Sequence, residues 1–388
     1  MLTIDNKVLK INSKWLNFPI YHVYTTGVNG SVSATPNSGI TGTEVTLSNT
    51  PDPLYQFVRY DINGASLKNA TQFDILYSDV SVTGVFEDRP IPANTIRVRT
   101  NNGQPPTSEY TCTYDTATLV PGTTDVYDVY KYDRNGSWED LCAYCTNIVE
   151  VLGGNTSNIV SMHGMFRGCT NLTKTAYFDT SSVYNMISIY QNTAISDVPL
   201  YDTSNVRLME HAFEGTNITT IPLLDTSNVS TMYMMFRNCT HLTTVPLLDM
   251  SYIGVTGEGS GIGYMFQNCS SLTSVPLFDT SNCRMFYGAF DGCTSLTSIP
   301  LLDISSGTNI SRMFSGCTNL TSIPAFNPAS VDYCQEMFLN CESVQSGAYE
   351  MYQRLSARVT NAQNYSACFK NCGNSSQIPT SWKQYYTP

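Results

Sequence analysis

The chain has 388 residues, of which 41% are hydrophobic and 13% are charged, and its formal net charge at pH 7 is -11. This balance excludes a disordered chain, because disorder accompanies low hydrophobicity and high charge, and the acidic surplus disfavours nucleic acids as partners. No apolar run approaches the roughly 18 residues of a membrane span, so no membrane insertion is expected, and the first residues lack the basic and apolar segments of a secretory signal.

The first 90 residues are predicted to be all β. Residues 1–19 form an N-terminal β arm in this interpretation, because Ile4, Val8 and Leu9 are available for strand addition to a neighbour. Residues 20–90 carry short β runs separated by Gly, Asn and Pro, which predicts a small all-β module. The order of its motifs, from Gly-Ser-Val through Pro-Asn-Ser-Gly and Val-Thr-Leu to Asp-Val-Ser-Val, resembles internalin-type B-repeat modules, which are small all-β spacers.

Residues 91–137 are predicted to form a β connector that covers the N-terminal end of the region after them. That region, residues 138–374, is filled by a repeat of about 24 residues. Its most regular position is the Phe of a Met-Phe or Ala-Phe dipeptide, which Tyr190 and Cys142 replace in two copies. A fixed period in the twenties indicates a solenoid, here of about ten units.

Each unit is predicted to contain one short helix. Around Phe236, apolar residues stand at Val229, Met232, Met235 and Cys239. Spacings of three and four place them on one face of a helix. A Ser two residues before this face stands at the N-cap position, where its side chain can accept a hydrogen bond from a free backbone amide.

A short strand is predicted to follow the Cys, over residues 242–247. By alternation, Val245 and Leu247 point inward, and Pro246 keeps the strand brief because it cannot donate to a ladder. One helix and one strand cannot bury both faces alone, so the units stack. The predicted fold class is an α/β leucine-rich-repeat solenoid with an N-terminal all-β region.

This pattern resembles the BspA-like leucine-rich repeats of bacterial cell surfaces and phage proteins, in the form L-T-x-x-P-L-x-D-T-S-N-V-x-x-M-x-x-M-F-x-x-C. The copy that runs from Asp225 through Val229 and Phe236 to Cys239 carries the match. Thr193 and Thr216 replace the Cys in two copies. The resemblance implies a surface protein, from a phage or a bacterium.

The recurring Phe and Cys positions are predicted to be core rather than chemistry. They include Phe236, Phe266, Phe290, Phe314, Cys239, Cys269, Cys293 and Cys317. The cysteines number thirteen and most share one repeat position, so we expect buried free thiols in a reducing compartment, with a disulfide framework as the alternative. Cys142 and Cys145 form an isolated Cys-x-x-Cys without the second pair of a zinc site, so no metal site is predicted.

An aspartate also recurs in each copy. The residues are Asp202, Asp225, Asp249, Asp279 and Asp303. Carboxylates stacked about 5 Å apart repel one another unless something satisfies them. We interpret each as accepting hydrogen bonds from the amides of the turn that follows it. Calcium held between neighbouring carboxylates is the alternative.

No phosphate-binding loop or nucleophile elbow is present, so we predict neither an enzyme nor a cofactor. Candidate recognition residues are sought where the repeat is irregular, in the insertion at residues 251–263 and in the aromatic tail, residues 375–388. They are Tyr252, Ile253, Val255, Glu258, Trp382, Tyr385 and Tyr386. The longer copy before Phe369 is predicted to hold a helix over residues 349–358.

The favoured hypothesis is a non-enzymatic bacteriophage virion component, such as a fibre, spike or decoration protein, that is assembled in the host cytoplasm. Its N-terminal β region would attach to other virion proteins, and its solenoid would bind a host surface protein or glycan, with homo-oligomerisation left open. The alternatives are a bacterial cell-surface adhesin of the BspA-like family and a cytoplasmic protein-interaction scaffold.

Overall fold

The computed structural model describes residues 8–11, 14–17, 20–39, 41–65, 68–75, 78–110, 112–254 and 261–387. The chain divides into two compact units, Met1–Pro90 with Val120–Thr124, and Ile91–Leu119 with Asp125–Pro388. The buried hydrophobic residues form one cluster in each unit, so each unit has a core of its own.

The described residues form thirteen strands and a few short helices. The strands are β1 (Val8–Ile11), β2 (Lys14–Asn17), β3 (Tyr21–Gly27), β4 (Gly30–Thr35), β5 (Ser38–Gly39), β6 (Glu44–Pro51), β7 (Tyr55–Asn63), β8 (Gln72–Asp74), β9 (Val80–Asp88), β10 (Thr95–Thr100), β11 (Thr116–Leu119), β12 (Val126–Tyr130) and β13 (Ile148–Asn155). The helices are α1 (Ala348–Ser356) and two 3-10 helices, Ala362–Tyr365 and Thr380–Trp382.

The described residues of the first unit form three sheets. β1 pairs antiparallel with β2, and the other two sheets have the strand orders β5-β3-β9-β7 and β4-β6-β8. β3 and β9 run parallel, whereas the remaining pairs of this unit are antiparallel. Burial alternates along β6, where Val45 and Leu47 face the core beside Phe73 while Glu44 and Thr46 are exposed. This alternation is what a strand with one solvated face requires.

The second unit opens with an antiparallel sheet in the order β11-β12-β10-β13. Arg97 on β10 is 4% exposed and its Nε lies 2.7 Å from Asp128 Oδ1 on β12. β13 belongs to the first copies of the repeat, because Glu150 in it forms a parallel bridge with Lys174 of the next copy. The sheet is therefore continuous with the repeats that follow.

The predicted α/β leucine-rich-repeat solenoid is wrong. The structure is nearly all β, with 22% strand and 4% helix, which leaves no room for a helix in every copy. The segment around Phe236 is a run of turns in which Met234 and Asn238 are left-handed, with φ of 57° and 61°. A left-handed residue at every fourth position interrupts a right-handed helix.

The backbone hydrogen bonds explain why turns replace the helix. Met235 N donates to Met232 O at 3.2 Å within one copy, whereas Phe236 N donates to Met265 O of the next copy at 2.9 Å. In an α-helix, each of these amides would instead donate to the carbonyl oxygen four residues earlier in the same segment. Consecutive turns produce the same spacing of three and four between buried residues, and they leave alternate amides to join neighbouring copies.

The predicted strand over residues 242–247 is reduced to an extended segment. Thr243 N donates to Thr219 O of the preceding copy at 2.9 Å, and Pro246 has no amide to continue the ladder. The inward assignment of Leu247 is also wrong, because Leu247 is 59% exposed while Leu248 is 1% exposed. The alternation that buries Val245 therefore shifts by one residue at Pro246.

Successive copies nevertheless lie one upon the next, and we call residues 138–374 the repeat stack. The rings at the Phe position, from Phe166 to Phe369, form a ladder in which neighbouring centroids are 5.4–6.3 Å apart. The insertion does not interrupt this ladder, since the Phe236 and Phe266 centroids are 5.6 Å apart. The longer last copy contains α1, as the sequence predicts.

Candidate functional site

The insertion contributes little described surface. Ile253 is fully buried and its amide donates to Met250 O at 3.0 Å, so it belongs to the core and not to a contact surface. Tyr252 is half-buried. Val255 and Glu258 lie outside the described residues.

The aromatic tail divides into a buried and an exposed part. Trp382 is 5% exposed and stacks on Tyr365, with centroids 4.1 Å apart, so it packs the C-terminal end of the core. Tyr385 and Tyr386 are about half exposed. Lys370 Nζ lies 3.9 Å from the centroid of the Tyr385 ring, a cation–π contact. Only these two predicted tail residues are therefore available to a partner.

The recurring aspartates cap turns. Asp225 Oδ1 accepts hydrogen bonds from Ser227 N at 3.0 Å and from Ser227 Oγ at 2.7 Å, and the other copies repeat this arrangement. The Ser thus donates to the Asp and does not cap a helix. The Ser204 hydroxyl and amide lower the pKa of Asp202. Among the described residues, no group of three or more His, Cys, Asp or Glu side chains is arranged to hold a metal ion.

The cysteine position joins neighbouring copies. All thirteen cysteines lie in the described part of the chain and are free thiols, and twelve of them are buried. Cys239 Sγ donates to Phe213 O of the preceding copy at 3.0 Å, and Cys269, Cys293 and Cys317 make the equivalent bond. Burial raises the pKa of the Cys239 thiol to about 11. Since a thiolate is the reactive form, these thiols are structural groups.

The Cys-x-x-Cys segment has one neighbour that the sequence does not reveal. Cys112 Sγ lies 2.9 Å from Cys145 Sγ, and Cys142 is fully buried beside them. The hydrogen bond with Cys145, followed by burial, raises the pKa of Cys112 well above its ordinary value.

Sequence reasoning missed an exposed apolar row on the repeat stack. In each of six copies, the side chain two residues before the Asp is 58–63% exposed. We call these residues the leucine row: Tyr177, Leu200, Leu223, Leu247, Leu277 and Leu301. The available signal was a pair of adjacent apolar residues, which follows a Pro in five of the six copies, because adjacent residues of an extended segment cannot both face the core.

A row of carboxylates accompanies the leucine row. Leu247 and Asp249 are both exposed with the buried Leu248 between them, so they share one face of the extended segment. We call the corresponding residues the aspartate row: Asp202, Asp225, Asp249, Asp279 and Asp303. The segments 217–229, 240–251, 270–282 and 294–306 contain no Lys, Arg or Glu. Along these segments the exposed side chains of the two rows are apolar and acidic, and no Lys or Arg stands beside them in the sequence.

A cleft of about 550 Å³ lies beside the first members of the leucine row. Its lining includes Ala176 and Pro199, which directly precede Tyr177 and Leu200, together with Lys174 and Asp197. The cleft therefore adjoins the start of the leucine row at a place where charges of both signs are present.

Comparisons with known proteins agree with the two-part organisation. Residues 144–248 and 260–382, more than half of the chain, match the family described as "Mycoplasma protein of unknown function, DUF285". Residues 21–90 match a family described as "Divergent InlB B-repeat domain", which confirms the B-repeat resemblance of that region. No curated protein and no solved structure matches the chain.

Proposed function

Because the chain belongs to the family described as Mycoplasma protein of unknown function, DUF285, we propose that it is a BspA-like surface protein whose repeat stack is a non-enzymatic recognition surface on a bacterial cell. The family matches support the coarser part of this statement, a BspA-like surface protein with repeats. The recognition role is the proposed part.

The observation that carries the recognition role is the leucine row. Exposed apolar side chains recur at one position of six copies, and contiguous apolar surface of this kind marks interaction sites. A core position would explain apolar residues there, but the exposure of 58–63% excludes that explanation. A repeat array offers such a row over a long distance because every copy presents the same residue in the same place.

A bacterial surface is the location that we propose, in preference to a virion. The comparisons give no support to a virion role, and a cell-surface location is compatible with both family matches. Free cysteines by themselves favour a reducing compartment, but burial raises the pKa of thiols such as Cys293 and keeps them protonated and shielded, so they are compatible with a cell surface. In this proposal the region matching the B-repeat family is a spacer, and the partner is a host surface protein or glycan. Within the described residues, no helix combines the length and the apolar character that a membrane crossing requires.

Protease treatment of intact producer cells tests the location. We expect trypsin added outside the cells to release peptides of the repeat stack, while a cytosolic marker protein stays intact. Release only after lysis would contradict a surface location.

Binding of the purified full chain to cultured host cells and to an array of glycans and extracellular proteins tests the recognition role. We expect saturable binding to one class of ligand without chemical change of that ligand. Hydrolysis or modification of the bound ligand would contradict the non-enzymatic role, and absence of saturable binding on every surface would contradict recognition.

A further inference from the structure

We propose that the leucine row and the aspartate row together bind one amphipathic α-helix of a partner protein. The helix lies along the repeat stack, with apolar residues on the leucine row and Lys or Arg residues beside the aspartate row. This inference rests on the proposed function, because it names the class of partner that the recognition surface takes.

The apolar half of the site is continuous. Its members stand in consecutive copies and are each more than half exposed. The insertion does not break the row. Thr273 N donates to Thr243 O of the preceding copy across the insertion at 3.3 Å, and the equivalent bond between two ordinary copies, from Thr297 N to Thr273 O, is 3.4 Å long. Leu247 and Leu277 are therefore neighbours in the row although the chain between them is longer.

The spacing of the row selects a helix. Neighbouring extended segments lie about 4.8 Å apart, so the row presents one apolar side chain at roughly that interval. An α-helix places a side chain on the same face once per turn, about every 5.4 Å. Over four steps along the row, the apolar residues of the helix therefore drift by only ~2–3 Å from their counterparts. An extended peptide repeats its face about every 6.7 Å, so it falls out of step with the row after two copies.

The negative charge of the aspartate row determines which side chains the helix needs along its flank. Asp249 lies two residues from Leu247 on the same face, about 6.5–7 Å away along an extended segment. Its Oδ1 accepts the Ser251 hydrogen bonds, and a carboxylate has further acceptor capacity on its second oxygen. No Lys or Arg occurs in the segments 217–229, 240–251, 270–282 and 294–306, so at these copies we expect the complementary cations to come from the partner.

The same charges argue against a second copy of this chain as the occupant. Two copies packed with antiparallel stacks would bring one aspartate row against another, and in either orientation each chain has a net charge of -11. Like charges placed opposite one another destabilise an interface.

A synthetic helix is the probe for this site. The peptide has about 18 residues, with Leu at every third or fourth position and Lys along one flank, and the matched control peptide has the same composition in scrambled order. Fluorescence anisotropy with the purified full chain measures both. We expect the amphipathic peptide to bind at least about tenfold more tightly than the scrambled one.

Variants of the full chain locate the binding. The triple variant Leu223→Ser, Leu247→Ser and Leu277→Ser changes exposed side chains of the row, and we expect it to weaken peptide binding by at least about tenfold. The control variant Tyr184→Ser with Tyr333→Ser removes two exposed rings at repeat positions outside the row and is expected to bind as the parent does. Asp225→Asn with Asp249→Asn preserves the turn caps and is expected to weaken binding severalfold and reduce its salt dependence. Circular dichroism and the melting temperature check that each variant folds.

The outcomes separate this inference from the proposed function. Equal binding of the scrambled peptide, or unchanged peptide binding by the leucine variant, would overturn the helix site. Loss of self-association in that variant would show that a second copy is the occupant, and would also overturn it. If the leucine variant still binds host cells or glycans as the parent chain does, the recognition role stands and the helix site fails.

Discussion

Residues with positive φ determine the shape of each copy. Two positions after the Phe, the chain uses Asn or Gly, as in Asn238, Asn268 and Gly292, where φ is 61°, 61° and 76°. Gly adopts this conformation freely and Asn tolerates it better than other side chains do. The Asn or Gly that recurs at this position therefore indicates turns and not a helix, because a helix does not require either residue there.

The first prediction concerns Asn238. We expect Asn238→Val to lower the free energy of unfolding by about 1–2 kcal/mol or more, since a β-branched residue resists the left-handed conformation. Asn238→Gly keeps that conformation and loses the exposed hydrogen bond that Asn238 Oδ1 accepts from Asn268 Nδ2. Urea unfolding measures both variants, and equal losses for Val and Gly would show that φ is not the cause.

The second prediction concerns the pH dependence of the buried thiols. Burial raises the pKa values of Cys269, Cys293 and Cys317 well above the ordinary value of 9.0. In the unfolded chain these thiols ionise near pH 9, whereas in the folded chain they stay protonated. Their contribution to the free energy of unfolding is therefore complete below pH 9. It is lost as the pH rises from 9 toward the folded-state pKa values, by up to about 1.4 kcal/mol per pH unit for each thiol.

Cys269→Thr with Cys293→Thr is the matched control for this effect. Thr193 and Thr216 already occupy the same position, where the Thr216 hydroxyl bonds to Phe213 O of its own copy at 2.8 Å. Urea midpoints at pH 7.5, 9 and 10 in a reducing buffer should fall more steeply for the parent chain than for the variant. Parallel curves would mean that these thiols do not titrate differently in the two states.

At the scale of the element, the unit of stability is the contact between neighbouring copies. The Phe290 ring lies 5.4 Å from both Phe266 and Phe314, measured between centroids, and is fully buried. Alternate amides and the cysteine thiols join the same neighbours. A copy removed from its neighbours would lose ring contacts and backbone hydrogen bonds together.

The third prediction follows from this arrangement. We expect Phe290→Ala to lower the free energy of unfolding by roughly 3–5 kcal/mol, because a buried ring leaves a cavity that its neighbours cannot fill. Leu277→Ala in the same region changes a side chain that is 61% exposed, and its cost should stay within about 0.5 kcal/mol. Hydrogen exchange should show lost protection first in the copies that contact Phe290. Similar costs for the two variants would contradict the ring ladder as a source of stability.

The sequence predicted which residues are buried better than it predicted their conformation. Val229, Met232, Met235, Phe236 and Cys239 are all fully buried, as their spacing indicates. The helix was wrong because turns and helices share that spacing, and because a single copy does not show which amides bond to the next one. The leucine row was missed for a similar reason, since strict alternation was carried past Pro246, where the alternation of buried and exposed residues shifts by one.

At the scale of the whole molecule, the two cores are the main division. Val45 and Phe73 belong to the buried cluster of the first unit, and Phe290 belongs to that of the second. The family matches fall on either side of the same division, at residues 21–90 and from residue 144 onward. The sequence predicts the all-β region up to residue 90 from its short β runs and the repeat from residue 138 onward from its period.

The fourth prediction is that the two units unfold in separate transitions. Because neither cluster shares buried residues with the other, calorimetry of the full chain should resolve two heat absorption peaks. Phe73→Ala should lower the temperature of one peak, and Phe290→Ala should lower the temperature of the other. A single peak that both variants shift would show that the units unfold cooperatively.

The uniform bonding between copies has a consequence for how such a gene changes. Phe236 N bonds to Met265 O across the longer copy at 2.9 Å, and Phe290 N bonds to Met313 O across an ordinary copy at the same distance. Since each junction presents the same donors and acceptors, recombination between two copies can delete or duplicate a segment of about 24 residues without creating a new kind of contact. Each such event shortens or lengthens the exposed row by one residue, so the length of the row can differ between related chains while the fold remains the same.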